Sequence, residues 1–261
     1  MEKINPKIKT GKLHYENKEF TNKYGEKFTV LQYNNAKNIN IKFSDGTIIN
    51  TRAYLINNGK VINPNYKKLF GKCFIGIGKY SSKDYSYSIW FKILQRVFDN
   101  KIKENLPTYN NATLDDRWLN FQNFGKWFEE NYINGFDLDK DILIKNNKHY
   151  GPDTCCFVPH EINCLFRNII NLKSKNINLP EGVTFCNDRN SKQYLSNILI
   201  NNKKIYIGHF NTPEEAENEY LKFKCLKIHE LANKYKDKLN KKVYDKLISI
   251  DINYLKIKEY L

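Results

Sequence analysis

The sequence predicts an α+β protein with an N-terminal small β-module, a helical linker region, a central strand–strand–helix unit and a C-terminal three-stranded sheet packed on a helix. Three observations predict it. Short β-forming runs punctuated by Gly turns fill the first quarter of the chain. Apolar and aromatic residues at helical spacing follow. The period then changes twice more, each time ending in a helix start. The segments divide as 1–70 for a small β-barrel or β-sheet module, 71–175 for the helical segment plus the central unit, and 176–261 for the last module with its C-terminal helix. A 41% hydrophobic and 14% aromatic content supplies packed cores and excludes a disordered chain.

Within residues 11 to about 64, Lys27–Tyr33 and Asn38–Phe43 are short runs of β-formers. Ser44-Asp45-Gly46 is a turn signal between Phe43 and Thr47-Ile48-Ile49. Asn57-Asn58-Gly59-Lys60 is a second stop before Val61-Ile62. The module reads equally as a docking surface for DNA or a partner and as a structural cap.

Residues 85–131 read as helical. Trp90, Ile93, Leu94 and Val97 fall at i, i+3, i+4 and i+7. Trp118, Phe121, Phe124, Trp127 and Phe128 repeat the spacing, and Asp115-Asp116 place negative charge near the start. Aromatics at this spacing read as core.

Over 136–172 the period changes. Asp137–Lys145 reads as a strand, Asn146-Asn147-Lys148 as a turn, Cys155–Val158 as a second strand, and Pro159 as a helix opener. Ile162, Leu165, Phe166, Ile169 and Ile170 give that helix its apolar face. Asp139 and Asp141, two apart on a strand, would share a face and could pair on a metal ion. Cys155 and Cys156 read as small buried residues.

Over 182–235 three β runs, Gly182–Phe185, Tyr194–Ile200 and Lys204–Phe210, precede a sharply defined helix. Thr212 is its N-cap, Pro213 its first residue and Glu215 the third, a capping box. Ala216, Tyr220, Phe223 and either Leu226 or Lys227 supply its buried side. Residues 236–261 read as a lysine-rich helical end.

The formal net charge is +15, carried mostly by Lys, since Arg occurs only at Arg52, Arg96, Arg117, Arg167 and Arg189. AT-rich codons account for part of that bias, but the field attracts polyanions whatever its origin, and double-stranded DNA is the expected partner. No apolar run reaches the length of a membrane span. The charged N-terminus lacks a secretory core. The six Cys form no CxxC pair, so no structural zinc is expected and the thiols read as those of a cytoplasmic protein.

Gly182-Val183, Tyr194, Ile198, Ile207-Gly208-His209-Phe210, Thr212-Pro213-Glu214-Glu215-Ala216 and Tyr220 form an ordered set of landmarks. Together they resemble the Apetala-two/ethylene-response-factor type of DNA-binding domain over about residues 181–226. The resemblance implies a three-stranded antiparallel sheet on one helix, laid in the major groove. The candidate DNA face is Arg189, Lys192, Gln193, Asn197, Lys203 and Lys204. Arg189 suits guanine, the amides suit adenine, and the lysines suit phosphates. Tyr194 stands where the plant family usually has Trp.

The central unit is similar to the ββα-metal fold of HNH nucleases. Leu138-Asp139-Lys140-Asp141-Ile142, then Tyr150-Gly151-Pro152-Asp153-Thr154-Cys155-Cys156-Phe157-Val158-Pro159-His160-Glu161-Ile162-Asn163, resemble motifs of phage-encoded HNH-type proteins that end in an Apetala-type domain. That resemblance covers nearly all of residues 11–250. It implies a homing- or nicking-type endonuclease, or a DNA-binding relative, in the cytoplasm of a bacterial host. By it, Asp139 and Asn163, with Asp141 beside them, would hold Mg2+ or Mn2+ for phosphodiester hydrolysis. Lys140 would occupy the place of the general-base His. A protonated ammonium is a poor base, so His149 or His160 is the alternative. Three readings stay open: an HNH-type DNA endonuclease, a non-catalytic DNA-binding protein with a degenerate nuclease fold, and a phage protein that inhibits a host factor through a protein partner.

Overall fold

The computed structural model describes residues 6–166, 179–187, 193–200 and 203–256. The protein is of mixed α and β type. It divides into two compact units, Met1–Trp90 with Leu119–Asn123, and Phe91–Trp118 with Phe124–Leu261.

The first unit opens with helix α1 (Pro6–Tyr15), followed by strands β1 (Glu19–Thr21), β2 (Lys27–Asn35), β3 (Asn38–Phe43) and β4 (Ile48–Thr51) and helix α2 (Ala53–Asn57). The strands form an antiparallel sheet in sequence order. Alternation along β2 and β3 turns Phe28, Val30, Ile39, Ile41 and Phe43 into a core that also holds Tyr15, Tyr33, Ile56 and Val61. The Ser44-Asp45-Gly46 signal is the β3–β4 turn. Asp45 accepts the Thr47 N–H, and Gly46 takes φ +88°. Helix α1 departs from expectation, because the chain from residue 11 onward reads as β-forming. A Cβ at Gly11 would lie 2.2 Å from the Tyr33 ring, so this glycine is where the helix lies against the sheet. Helix α3 (Tyr85–Phe98) begins in this unit, where Tyr87 and Trp90 pack on Phe121 at 5.3 and 5.1 Å between ring centroids.

The second unit takes up the end of α3 and continues through α4 (Asn100–Asn105), β5 (Thr113–Leu114), most of α5 (Phe121–Asn131), β6 (Phe136–Asp139), β7 (His149–Tyr150), β8 (Cys156–Pro159) and α6 (His160–Phe166). It then adds β9 (Val183–Phe185), β10 (Tyr194–Ile200), β11 (Lys203–Phe210), α7 (Pro213–Lys234), α8 (Lys241–Ile248) and α9 (Ile252–Lys256). The aromatic stripes are core: Ile93, Leu94, Val97, Trp118, Phe124 and Phe128 are buried. Trp118 sits in a short 3-10 turn rather than in α5, and packs on Phe124 at 4.9 Å and Trp127 at 4.8 Å.

The strand expected over Asp137–Lys145 stops at Asp139. The Asp139 carboxylate accepts the N–H groups of Asp141 and Ile142, which turns the chain away from extended geometry. Pro159 does not open the helix. It ends β8 opposite Phe136, and α6 starts at His160. The Ile169 and Ile170 positions of the expected apolar face lie outside the described residues.

β9, β10 and β11 pair antiparallel in the order β11-β10-β9, with α7 against one face. Thr212 caps α7 by accepting the Glu215 N–H, and Glu215 reaches back to the Asn211 N–H. The buried side of α7 runs Ala216, Tyr220, Lys224, Ile228, Leu231, with Leu221 and Ala232. Leu226, one of the two expected there, is 69% exposed because it falls off that line. Gly182 takes φ +76°, and a Cβ on it would lie 2.2 Å from the Tyr220 ring. Glycine and tyrosine, 38 positions apart in the pattern, are thus one packing contact. A single core includes Ile142, Val158, Ile162 and Leu165 of the strand–strand–helix region together with Ile198, Ile200, Tyr220, Ile228 and Val243 of the C-terminal region. Each large apolar side chain buried there stabilises by about 1.5 to 3 kcal/mol.

Candidate functional site

Two places hold the expected functional residues. The first is the junction of β6, β8 and α6. β6 and β8 pair antiparallel, Asp139 opposite Cys156, and α6 follows directly. Asp139 is 8% exposed. Its Oδ1 accepts backbone N–H groups at 2.7 and 2.8 Å. Burial raises its pKa, the two N–H groups oppose that, and the Asp141 charge adds to it. Lys140 is nearly sealed. Its ammonium donates to both carboxylate oxygens of Asp141 and to the carbonyl of Asn147, each at 2.7 Å, and its side chain is 11% exposed. All three of its protons have acceptors, so it holds the loop 140–147 rather than standing ready to take a proton.

Asn163 does not join Asp139. Its Nδ2 donates at 3.0 Å to Oδ2 of Asp137, and His160 Nδ1 donates to that same oxygen at 2.7 Å. Asp137 therefore takes the central place. The alternation that singled out Asp139 puts Asp137 on the same side of the strand, and that was the available signal. Asp141 lies beyond the strand, in the turn, so the shared strand face expected for it and Asp139 is not formed. Asp139 Oδ1 is taken by backbone N–H groups, Asp141 by Lys140 and Asn163 Nδ2 by Asp137, so the three have separate partners. Among the described residues no group of three or more His, Cys, Asp or Glu side chains is placed to hold a metal.

His149 belongs elsewhere. On β7, which pairs parallel with β5, its Nδ1 lies 2.9 Å from Thr113 Oγ1 and its Nε2 3.6 Å from Asp115. Arg117 beside Asp115 holds that carboxyl well below the usual range. Cys155 and Cys156 are buried as expected, and desolvation pushes the Cys155 thiol up to about 12.

The second place is the outer face of the β9–β11 sheet. Ser196, Ile198 and Ile200 of β10 point inward. Their neighbours Leu195, Asn197 and Leu199 point outward, paired with His209, Tyr206 and Lys204 of β11. Thr184 of β9 completes this face opposite Leu195. Tyr206 is 61% exposed and lies 5.7 Å from His209, ring to ring. Lys203, Lys204 and Gln193 are exposed, and neither lysine has an ion-pair partner among the described residues. Asn197 sits at a β-bulge, its Nδ2 buried and without a hydrogen-bond partner among the described residues. Arg189 and Lys192 lie outside the described residues. Tyr206 and His209 were missed as face residues, although alternation from Ile205 and Ile207 singles out Tyr206.

No helix among the described residues is long and apolar enough to cross a membrane. No protein-family model matches the chain, and no curated protein or solved structure matches it either.

Proposed function

We propose that the protein binds double-stranded DNA through the outer face of β9–β11, and that the β6/β8/α6 unit serves as its scaffold. The observation that carries this is the division of the sheet. One face is buried on α7, and the other exposes Lys204, Gln193, Thr184 and an aromatic pair, with Lys203 exposed beside it at the start of β11. A strand ribbon of this kind fits the major groove, where lysines meet phosphates and amides meet base edges. The +15 charge supports the same partner, and the resemblance to phage proteins supports a bacterial cytoplasm as its setting.

Metal-dependent nicking or homing is the second reading. One observation favours it: Asp137, His160 and Asn163 meet at the strand–helix junction where an HNH-type enzyme acts, with His160 59% exposed in its side chain. The sealed Lys140 and the engaged Asp139 weigh against it.

One experiment separates the two. The full chain is titrated with fluorescent duplex at several salt concentrations and, in parallel, incubated with supercoiled plasmid in Mg2+ and Mn2+. Salt-sensitive binding with intact plasmid is expected. Replacing Lys203 and Lys204 together by Ala should weaken binding about tenfold and flatten the log–log salt slope by roughly 1 for each phosphate that is no longer neutralised. Relaxation lost in Asp137→Ala would establish the second reading. Binding indifferent to salt and to both lysines would overturn the DNA interface.

A further inference from the structure

Helix α6 carries a group that the DNA reading does not use. His160 and Cys164, four apart, lie on one side of the helix, with His160 Nε2 3.3 Å from Cys164 Sγ. The other ring nitrogen, Nδ1, meets Asp137 Oδ2 at 2.7 Å. A carboxylate can only accept, so Nδ1 carries the proton. Nε2 is left facing the thiol as its proton acceptor. A carboxylate that orients an imidazole, which in turn faces a sulfur nucleophile, is the arrangement that activates a thiol.

The chain contains its own contrast. Cys225 and His229 are also four apart on a helix, α7, with Sγ and Nε2 at 3.9 Å. There His229 Nε2 lies 2.9 Å from the Ile250 carbonyl, and that nitrogen carries the proton, because a carbonyl also only accepts. Cys225 donates to the same carbonyl at 3.2 Å. The pair shares an acceptor instead of relaying a proton, and desolvation raises the Cys225 thiol. Cys73, Cys155 and Cys156 are buried, whereas Cys164 is partly exposed.

We infer that Asp137, His160 and Cys164 form a proton relay that makes Cys164 a site of reversible modification by small disulfides. The thiol proton passes to His160 Nε2, and Cys164 Sγ attacks one sulfur of the incoming disulfide. The old S–S bond breaks as the new one forms, and the departing thiolate takes the proton from His160. One disulfide and one thiol enter, and one mixed disulfide and one thiol leave. The disulfide is the oxidant.

The test treats the full chain with glutathione disulfide and follows each cysteine by peptide mass spectrometry. Cys164 is expected to be modified first, at least about ten times faster than the partly exposed Cys186 and Cys225, and to be restored by dithiothreitol. Asp137→Asn and His160→Gln should each slow Cys164 about tenfold or more while leaving Cys186 unchanged. Circular dichroism of each variant reports whether it folds. The ranking of the wild-type cysteines needs no variant, so a misfolded mutant does not spare the proposal. Modification of Cys186 or Cys225 before Cys164, or a Cys164 rate indifferent to His160→Gln in a folded chain, would overturn it.

Discussion

The β6/β8/α6 region and the β9–β11/α7 region both set antiparallel strands against a helix within one core, yet they use their polar residues in opposite ways. In the first, polar side chains turn toward one another: Lys140 closes on Asp141 and Asn147, Asp139 closes on the backbone, and Asp137 gathers His160 and Asn163. In the second, the sheet buries Ser196 and the Asn197 amide nitrogen but exposes Thr184, Gln193, Lys203 and Lys204, and neither lysine makes an ion pair among the described residues. A charge satisfied by its neighbours holds a loop. A charge left exposed on a flat face is available to a polyanion. On the proposed reading, polar residues of the first region serve stability and those of the second serve DNA binding.

The largest effect expected is on the framework of the β9–β11/α7 region. Gly182→Ala forces a Cβ to within 2.2 Å of the Tyr220 ring at a backbone conformation that disfavours it. Tyr220 is tied in turn to Glu181 by a 2.8 Å hydrogen bond, so the ring cannot simply swing away. A loss of about 3 kcal/mol is expected in urea unfolding, with DNA affinity falling alongside. An unchanged midpoint would mean that the contact is not made and that the two landmarks of the pattern are unrelated.

A smaller effect sharpens the contrast directly. Lys140→Met keeps an unbranched side chain one atom shorter but removes three hydrogen bonds, leaving the Asn147 carbonyl and one carboxylate without them. A stability loss of about 1 to 2 kcal/mol is expected, with duplex affinity unchanged. A variant of normal stability that binds DNA more weakly would move Lys140 from the structural set to the binding set and undo the division.

The two regions were not equally legible. The C-terminal one is written in local signals: a glycine at positive φ, a capping box over Thr212–Glu215, and strands whose alternation survives a single bulge. Each acts within a few residues, so sequence spacing carries it. In the other region the element order was readable but the partners were not. Asp139, Asp141 and Asn163 have the chemistry of ligands, and only the three-dimensional course of the chain decides which groups their oxygens and nitrogens meet. Alternation in β6 puts Asp137 on the side of Asp139, but only the three-dimensional course of the chain brings His160 and Asn163 of α6 onto it. In the first unit, helix α1 falls in a stretch whose β-forming composition predicts strand, and what seats it is the contact of Gly11 with the Tyr33 ring on β2.

The finest test of the division concerns Asp139, read from sequence as a ligand and found as a capping group. Burial raises its folded-state pKa above the ordinary 3.8. The folded chain therefore holds this proton more tightly than the unfolded chain. Stability from this group is full below the unfolded value and declines as pH rises through the folded one. Ionising the buried carboxylate carries a desolvation cost, offset in part by the two N–H groups it accepts. Asp139→Asn keeps an oxygen for the Asp141 and Ile142 N–H groups but cannot ionise. Thermal unfolding of the variant should show a melting temperature about 1 to 2 °C higher at neutral pH and a flatter profile in the acidic range just above 3.8. A variant that melts lower at neutral pH while matching the wild type in acid would show that the charge itself stabilises the loop, and Asp139 would return to the candidates for holding a cation.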